Sequence, residues 1–211
     1  MTSATDRLLQ LLGVRLPVIQ APMAGSQGSA LALAVTAAGG LGSLPAATLT
    51  PEVLRQELTV LREQAQGPYN VNFFCHTPPP AEPAREAAWL KTLQPHAAAL
   101  GVDLPTGPAV AGRAPFSAAM AELLEAFRPP VVSFHFGLPP PDLLARVKAW
   151  GAVVLSSATT VEEAVWLERH GADIVIAQGL EAGGHRGMFL SDDLTTQVGT
   201  LALLPQVVRA V

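Results

Sequence analysis

Cysteine is nearly absent from this sequence, since Cys75 is the only one among 211 residues. A single cysteine excludes a disulfide within the chain, and this scarcity is typical of proteins from reducing compartments. The first residues, MTSATDRLLQLLG, combine an acid and a base with helical leucine spacing and lack the layout of a signal peptide. We therefore expect no targeting segment and a cytoplasmic protein.

Charged residues are also scarce, and those present do not cluster. They make up 14% of the chain, with a formal net charge of -4. Without a basic patch there is no electrostatic attraction to the phosphates of nucleic acid or to anionic lipid, so neither partner is expected. Because 49% of the residues are hydrophobic, the chain can bury a large core, and we expect a soluble globular enzyme or binding domain.

Residues 16–51 contain no charged side chain, a property that membrane-spanning segments share. Prolines and glycines divide this stretch into pieces that are too short to cross a bilayer. The sequence therefore predicts no membrane segment. The dividing residues are Pro17, Pro22, Gly25, Gly28, Gly39, Gly40, Gly42 and Pro45.

The sequence is rich in short apolar runs that alternate with longer segments of helical periodicity. Runs that are apolar on both faces are typical of strands in a covered parallel sheet. The predicted strands are 16–22, 40–46, 69–74, 129–137, 152–158 and 172–178. The predicted helices are 29–38, 51–64, 83–100, 141–150, 160–171 and 201–211. We expect one domain over residues 1–211, whose longest connector contains the proline- and glycine-rich segments 76–83 and 101–112.

Repeating strand–helix units are compatible with an open doubly wound sheet or a closed (β/α)8 TIM barrel. The first predicted strand is followed by QAPMAGSQGS, which lacks the glycine pattern of a dinucleotide-binding sheet. Polar or small residues instead end nearly every strand, as at the mouth of a barrel. These residues are Gln20 to Met23, Ser43, Asn72, His135, Ser156, Ser157 and Gln178. The barrel is therefore favoured, with about six of its eight units present and uncovered sheet edges that allow self-association.

The glycine-rich segment 179–187, GLEAGGHRG, follows the last predicted strand. Gly183 and Gly184 allow the backbone to approach a ligand closely, and backbone N–H groups in such a loop favour an anionic or electron-rich partner. His185 carries an imidazole, which titrates near neutral pH and suits proton transfer. The alternative is that His185 is an ordinary loop histidine.

The other candidate residues also have ordinary alternatives. Met23 is compatible with core packing, Asn72 with a turn, and His135, between two phenylalanines, with a satisfied core histidine. The remaining histidines are predicted to be structural or solvent-facing, and no histidine or cysteine spacing is that of a metal site, so no metal is expected. These histidines are His76, His96 and His170.

Four motifs, taken in order, resemble those of the nitronate monooxygenases, formerly 2-nitropropane dioxygenases, and particularly their class I branch. They are PVIQAPMAG (17–25), VNFF (71–74), SFHFG (133–137) and AQGLEAGGHRG (177–187). The resemblance runs through essentially the whole chain from Leu16. It implies an FMN-containing (β/α)8 barrel that detoxifies alkyl nitronates, such as propionate 3-nitronate, by oxidation with O2 to a carbonyl compound and nitrite.

The resemblance also implies roles for individual residues. His185 matches a histidine proposed as base or substrate-orienting group, and His135 matches a histidine that faces the substrate pocket. The chemistry would be mainly that of the flavin. The implied FMN-binding residues are Ala21, Pro22, Met23, Asn72, Gln178, Gly183 and Gly184.

Family members are longer than this chain and hold the FMN phosphate with segments of their seventh and eighth strands. We therefore expect a C-terminally truncated chain. One alternative is a related FMN barrel reductase, either an NADH:quinone reductase or an enoyl-thioester reductase, although SFHFG favours the monooxygenase. Another is an inactive fragment or scaffold that binds partners through its exposed edges.

Overall fold

The computed structural model describes residues 3–105 and 114–211. Residues 106–112 of the predicted glycine- and proline-rich connector therefore lie outside the described residues. The elements, in chain order, are α1 Ala4–Leu12, α2 Ser29–Ala38, β1 Gly42–Pro45, α3 Pro51–Gln64, β2 Tyr69–Phe74, α4 Pro83–Leu100, α5 Ala118–Phe127, β3 Val131–His135, α6 Pro141–Ala149, β4 Val153–Ala158, α7 Val161–Arg169, β5 Ile174–Ala177, a 3-10 turn at Leu194–Thr196 and α8 Thr200–Ala210.

The chain divides into two compact units, Met1–His76 with Pro115–Val211, and Thr77–Ala114. The first unit contains the sheet and all the predicted site residues. The second contains α4, which has proline in its first turn and ends at Gly101 in the left-handed conformation. Of the helices in the described ranges, none combines the length and apolar character that a bilayer span requires.

The five strands form one parallel sheet in the sequential order β1-β2-β3-β4-β5. This order is that of an α/β barrel, whereas a doubly wound sheet reverses its order at a switch point. The register pairs Asn72 with Ser133 and Phe74 with His135, so the carboxyl ends of neighbouring strands are level. The predicted fold class, a (β/α)8 barrel type with part of its units present, is confirmed.

The predicted first strand, residues 16–22, is not a regular strand. It forms a single parallel bridge, Ile19 to Leu41, beside β1. Proline has no backbone N–H, so Pro17 and Pro22 limit the ladder to the residues between them. The prediction of six strands is therefore corrected to five strands and one bridge within the described residues, in unchanged spatial order.

Side chains of β3 alternate between two environments, as pleated strands require. Val132 and Phe134 pack with leucines of α3 and α5 in the layer between sheet and helices. Val131 packs on the opposite side with residues of α1. Ser133 and His135 share the side of Val131, which corresponds to the barrel interior. The sequence thus aims polar groups inward near the carboxyl end of the sheet.

Three predicted helices, α2, α3 and α4, have the expected bounds, and α6, α7 and α8 differ from theirs by one or two residues at an end. Helix α5 lies in the predicted long connector, in a part for which the sequence predicts no helix. It begins after Ser117, whose hydroxyl caps it by accepting from Met120 N–H. Leu124 and Phe127 are among the residues it buries, so tertiary packing stabilises a segment too short to be helical alone.

Candidate active site at the carboxyl end of the sheet

Two phenylalanine rings and three imidazoles meet at the carboxyl ends of β2 and β3. We call Phe74, His76, His135, Phe136 and His185 the histidine cluster. Phe74 lies 5.3 Å from His185, 5.2 Å from Phe136 and 5.9 Å from His135 between ring centroids. The fold therefore brings the two predicted catalytic histidines, which are 50 residues apart in sequence, onto the same aromatic rings.

His76 belongs to this cluster, although the sequence indicated a structural or solvent-facing residue. Its ring is half-buried and lies 6.0 Å from Phe136 and 6.3 Å from Phe74. His170 instead stacks on Trp166 at 3.9 Å on the outside of α7. His76 differs from His170 in following β2 almost directly. This position at a strand end is visible in the sequence and could have indicated a site residue.

His135 is held in a defined protonation state by its surroundings. Its Nε2 lies 3.1 Å from the backbone oxygen of His185, and because that oxygen can only accept, Nε2 carries the proton. Burial lowers the pKa of His135, and the bond to the His185 carbonyl opposes this shift. The ring is therefore neutral at neutral pH, with the free lone pair on Nδ1.

Gln178 clamps the loop that carries His185. Its Nε2 donates to the backbone oxygen of His185 at 2.9 Å, and its Oε1 accepts from the N–H of Gly187 at 2.6 Å. Both ends of the amide are thus occupied by the loop. One N–H of Gln178 is left for any ligand.

Glycine is present at positions 183, 184 and 187 of this loop for different structural reasons. At Gly187 a Cβ would lie 2.6 Å from Cε1 of His135, so a larger residue there requires the His135 ring to shift. Gly184 has a φ of 77°, a left-handed conformation that favours glycine. A Cβ at Gly183 would meet no atom of the described residues within 4 Å, and its φ is not left-handed. Sequence reasoning emphasised Gly183 and Gly184 and missed Gly187.

Two glutamines fix the loop that follows the first predicted strand. The Gln20 amide exchanges two 3.2 Å hydrogen bonds with the Ser43 backbone, and Gln27 donates to the backbone oxygens of Ala21 and Ser43. The loop is thereby held at the end of β1. Met23 is 47% exposed on it, which excludes the core-packing alternative. Gln27 was not identified from the sequence.

A buried polar layer lies on the inner face of the sheet. Asn72 donates to the Ser133 hydroxyl at 2.9 Å, and Asn70 donates to the hydroxyls of Ser43 and Ser133 at 3.0 and 2.8 Å. Asn72 therefore crosslinks strands and does not fix a turn. Oδ1 of Asn70 is buried and has no partner among the described residues. Such an acceptor favours a proton donor from a ligand or water.

The turn after β3 has strained backbone. Phe136 has a φ of 67°, a left-handed value that is rare for bulky residues, and Gly137 follows at 86°. The Ser156 hydroxyl donates to the Gly137 oxygen at 2.8 Å and so stabilises the turn. Strain of this kind costs on the order of 1–3 kcal/mol and is concentrated at functional sites. Here it directs the Phe136 ring toward His185 at 5.9 Å.

Sheet order and the convergence of polar side chains at the strand ends define an α/β-barrel protein whose candidate active site lies at the carboxyl end of the sheet. The chain belongs to the nitronate monooxygenase family, because the family's sequence model, described as nitronate monooxygenase, matches residues 5–211. The predicted resemblance is confirmed.

Two bacterial relatives agree with this assignment. The nitronate monooxygenase of Pseudomonas aeruginosa is 46% identical over 206 residues, which is 95% of this chain and 57% of the relative. That of Paraburkholderia phytofirmans is 43% identical over 207 residues, which is 96% of this chain and 56% of the relative. The chain thus spans little more than half the length of these relatives.

Solved structures show the same relationship. A nitroalkane oxidase from Streptomyces ansochromogenes has a TM-score of 0.82 and 41% identity, covering 97% of this chain and 58% of its own. FabK from Thermotoga maritima has a TM-score of 0.68 and 27% identity, with 97% of this chain and 51% of its own covered.

Proposed function

We propose that this chain forms the major part of the active site of an FMN-dependent nitronate monooxygenase. Its reaction would convert an alkyl nitronate, such as propionate 3-nitronate, and O2 into a carbonyl compound and nitrite. The observation that carries the proposal is the histidine cluster, where His185 lies beside a neutral His135 at the strand ends. The family and the names of its relatives support this reaction.

The residues around the cluster fit a flavin. Gly183 faces open space, so packing does not explain its missing side chain, but close approach of a ligand does. The unpartnered Asn70 oxygen is buried on the inner face of the sheet, and Met23 offers an exposed apolar side chain on the loop held at the end of β1. When bound, FMN supplies the redox chemistry. The residues that we propose to hold FMN are Ala21, Pro22, Met23, Asn72, Gln178, Gly183 and Gly184.

His185 is the proposed base. Its ring nitrogens make no hydrogen bond to other residues within 3–105 and 114–211, whereas Nε2 of His135 is committed to the His185 backbone. His185 can therefore accept a carbon-bound proton from a neutral nitroalkane, and His135 orients the loop that carries it. The Phe74 and Phe136 rings contact the His185 ring edge to face, with centroid distances of 5.3 and 5.9 Å.

The test is an assay of the chain with FMN in excess. Titration with FMN should change the flavin absorption and fluorescence spectra. Addition of propionate 3-nitronate should then consume O2 and release nitrite, with up to two nitrite ions per O2, because each nitronate takes up one oxygen atom. Flavin binding without nitronate-dependent O2 uptake would contradict the proposed reaction.

A nicotinamide-dependent flavin reductase is the second proposal. The likeness to FabK, at 27% identity over 97% of this chain, favours a shared scaffold, but identity to the Pseudomonas nitronate monooxygenase is higher at 46%. NADH oxidation in the same assay, stimulated by a quinone or an enoyl thioester and indifferent to nitronate, would favour the reductase. A chain that binds neither FMN nor nitronate would favour a scaffold.

We also propose a cytoplasmic location, which rests on the single cysteine. Cys75 is largely shielded by the surrounding structure, and burial raises the pKa of its thiol. A protonated thiol is a poor nucleophile and metal ligand, so Cys75 is expected to be chemically inert. Loss of activity after brief treatment with a thiol reagent would contradict the expectation that Cys75 is inert.

A further inference from the structure

Glu163 is a buried carboxylate that the proposed reaction does not use. It lies in the first turn of α7 and is 1% exposed. It forms no ion pair with the Lys, Arg or His residues of the described ranges. A buried unpaired charge is costly unless hydrogen bonds and a favourable local field compensate it.

Four hydrogen bonds compensate the charge of Glu163. Oε2 accepts from the N–H and the hydroxyl of Thr159 at 2.7 and 2.8 Å, just after β4. Oε1 accepts from the N–H groups of Phe189 and Leu190 at 2.6 and 3.2 Å. The amino-terminal position in α7 adds a favourable helix dipole. One carboxylate thus joins the end of β4 to the segment that follows the glycine-rich loop.

This segment in turn supports the histidine cluster. The Phe189 ring packs on Gly137, where a Cβ would lie 3.1 Å from Cδ2 of Phe189, and it lies 5.2 Å from the Trp166 ring. Gly137 belongs to the strained turn that follows His135. Upstream, Gln178 and His135 hold the backbone of His185. Residues 185–190 are therefore fastened at one end by these two side chains and at the other by Glu163.

We propose that Glu163 is a positioning residue, whose carboxylate fixes residues 187–190 to the end of β4 and thereby keeps His185 and His135 together at the Phe74 ring. Its catalytic consequence rests on the proposed function. Its effect on the loop does not, because the loop contacts exist without substrate or cofactor.

Glu163→Gln and Glu162→Gln form a matched pair on the same helical turn. Both remove one negative charge, but Glu162 is exposed and outside these contacts. In Glu163→Gln one acceptor oxygen becomes an NH2 group that cannot accept, and the remaining oxygen of the neutral amide accepts more weakly than a carboxylate oxygen, so the bonds to residues 189–190 are lost or weakened. We expect the amides of Phe189 and Leu190 to exchange hydrogen for deuterium at least about tenfold faster, as loss of a bond to a charged group implies. Glu162→Gln should match the wild-type chain.

The pKa of the His135 imidazole provides a second readout. Loosening of residues 187–190 alone would not shift this pKa in a fixed direction. Besides burial, which lowers the pKa of His135, the groups that act on it are His185, whose backbone oxygen raises this pKa and whose imidazole lowers it, and Glu163, whose charge raises it. His76 lies across the Phe136 ring. Removing the Glu163 charge should lower the midpoint of the His135 titration followed by NMR. Glu162→Gln should leave that midpoint unchanged.

Unaltered exchange at residues 189–190, or an unaltered His135 midpoint in a folded Glu163→Gln, would overturn the proposal. If Glu163→Gln accelerates exchange throughout the sheet, Thr159→Val decides instead. This variant removes only the hydroxyl bond, and exchange at residues 189–190 should rise about threefold with the sheet unaffected; no rise would overturn the proposal. If the wild-type chain is inactive on nitronate but the variants show these loop effects, the proposed function is contradicted and the positioning role of Glu163 stands.

Discussion

At the scale of single residues, the two central histidines differ in what their ring nitrogens do. His135 is bound through Nε2, and its charge state is set by burial. His185 contacts the rings of Phe74 and Phe136, and its nitrogens make no hydrogen bond to the residues that the structure describes. His135 keeps a lone pair on Nδ1, but burial lowers its pKa and makes its ring a weaker base than an ordinary imidazole, so the arrangement favours His185 for proton transfer and His135 for orientation.

Replacing His185 by Asn should separate two substrates. A neutral nitroalkane must lose a carbon-bound proton before oxidation, whereas a nitronate has already lost it. Turnover of the nitroalkane should therefore fall about 10²- to 10⁴-fold, the usual contribution of a general base, and turnover of the nitronate should fall much less. Steady-state O2 uptake with each substrate measures this. Equal losses with FMN retained would assign His185 to substrate orientation.

The lowered pKa of His135 predicts a pH-dependent stability. Below the ordinary histidine pKa of about 6.5 the unfolded chain binds a proton that the folded chain resists. The stability that His135 contributes is therefore complete above that pH and declines as pH falls toward its lowered folded value. Urea unfolding at pH 7.5 and 5.5 should show a smaller pH loss in His135→Gln than in wild type. Identical losses would mean that His135 is not the responsible group.

At the scale of elements, the glycine-rich loop is a fitted structure and not merely a flexible one. Its backbone is held by side chains from β3 and from the end of β5, and the segment that follows it is held by a side chain of α7. Its last glycine, Gly187, packs against the ring of His135, and Gly183 faces open space. The same residue type therefore serves packing at one position and access at the other.

Alanine at these two glycines should have opposite effects. Gly187→Ala introduces a Cβ against His135, which overpacks the site and should lower the free energy of unfolding by about 1–3 kcal/mol. Gly183→Ala has room and should keep wild-type stability but weaken FMN binding. Urea denaturation and FMN titration of both variants provide the comparison. Weaker FMN binding only in Gly187→Ala would mean that Gly183 does not approach the flavin.

At the scale of the whole chain, α8 presents an apolar outer face. Leu201 is 92% and Val208 66% exposed, and Leu204 and Val211 follow the same helical spacing. The opposite face buries Leu203 and Val207. An exposed apolar stripe of this kind is typical of a contact surface. We propose that the chain associates with itself through this face of α8.

Sedimentation of the 211-residue chain tests this surface. We expect a weight-average mass that rises with concentration, because association removes apolar area from water. The double substitution Leu201→Lys with Val208→Lys should return the chain to monomer. As a control, Lys at the exposed Trp89 of the second unit should leave association unchanged. A wild-type chain that is monomeric at all concentrations would contradict the proposal.

The sequence by itself determined most of the helices and strands, the fold class and the family. These follow from local signals. Examples are proline at the start of α3, glycine after α7, apolar runs in β2 to β5, and contiguous motifs such as SFHFG and AGGHRG. Each signal is read within a few residues, because turns, caps and side-chain periodicity are set by neighbours along the chain. The shortening of the first predicted strand by Pro17 and Pro22 was not predicted, because their effect on hydrogen bonding depends on the partner strand.

Only the tertiary structure decided how the site is held together. His76 in the cluster, Gln27 beside Ser43, the contact of Gly187 with His135 and the two bonds of Glu163 to residues 189–190 all join residues that are far apart in sequence. Such contacts depend on strand register and on the path of each loop, and nothing in the local sequence encodes the distance between them. Polar residue types could be placed at the sheet's end from sequence, but their hydrogen-bond partners required the fold.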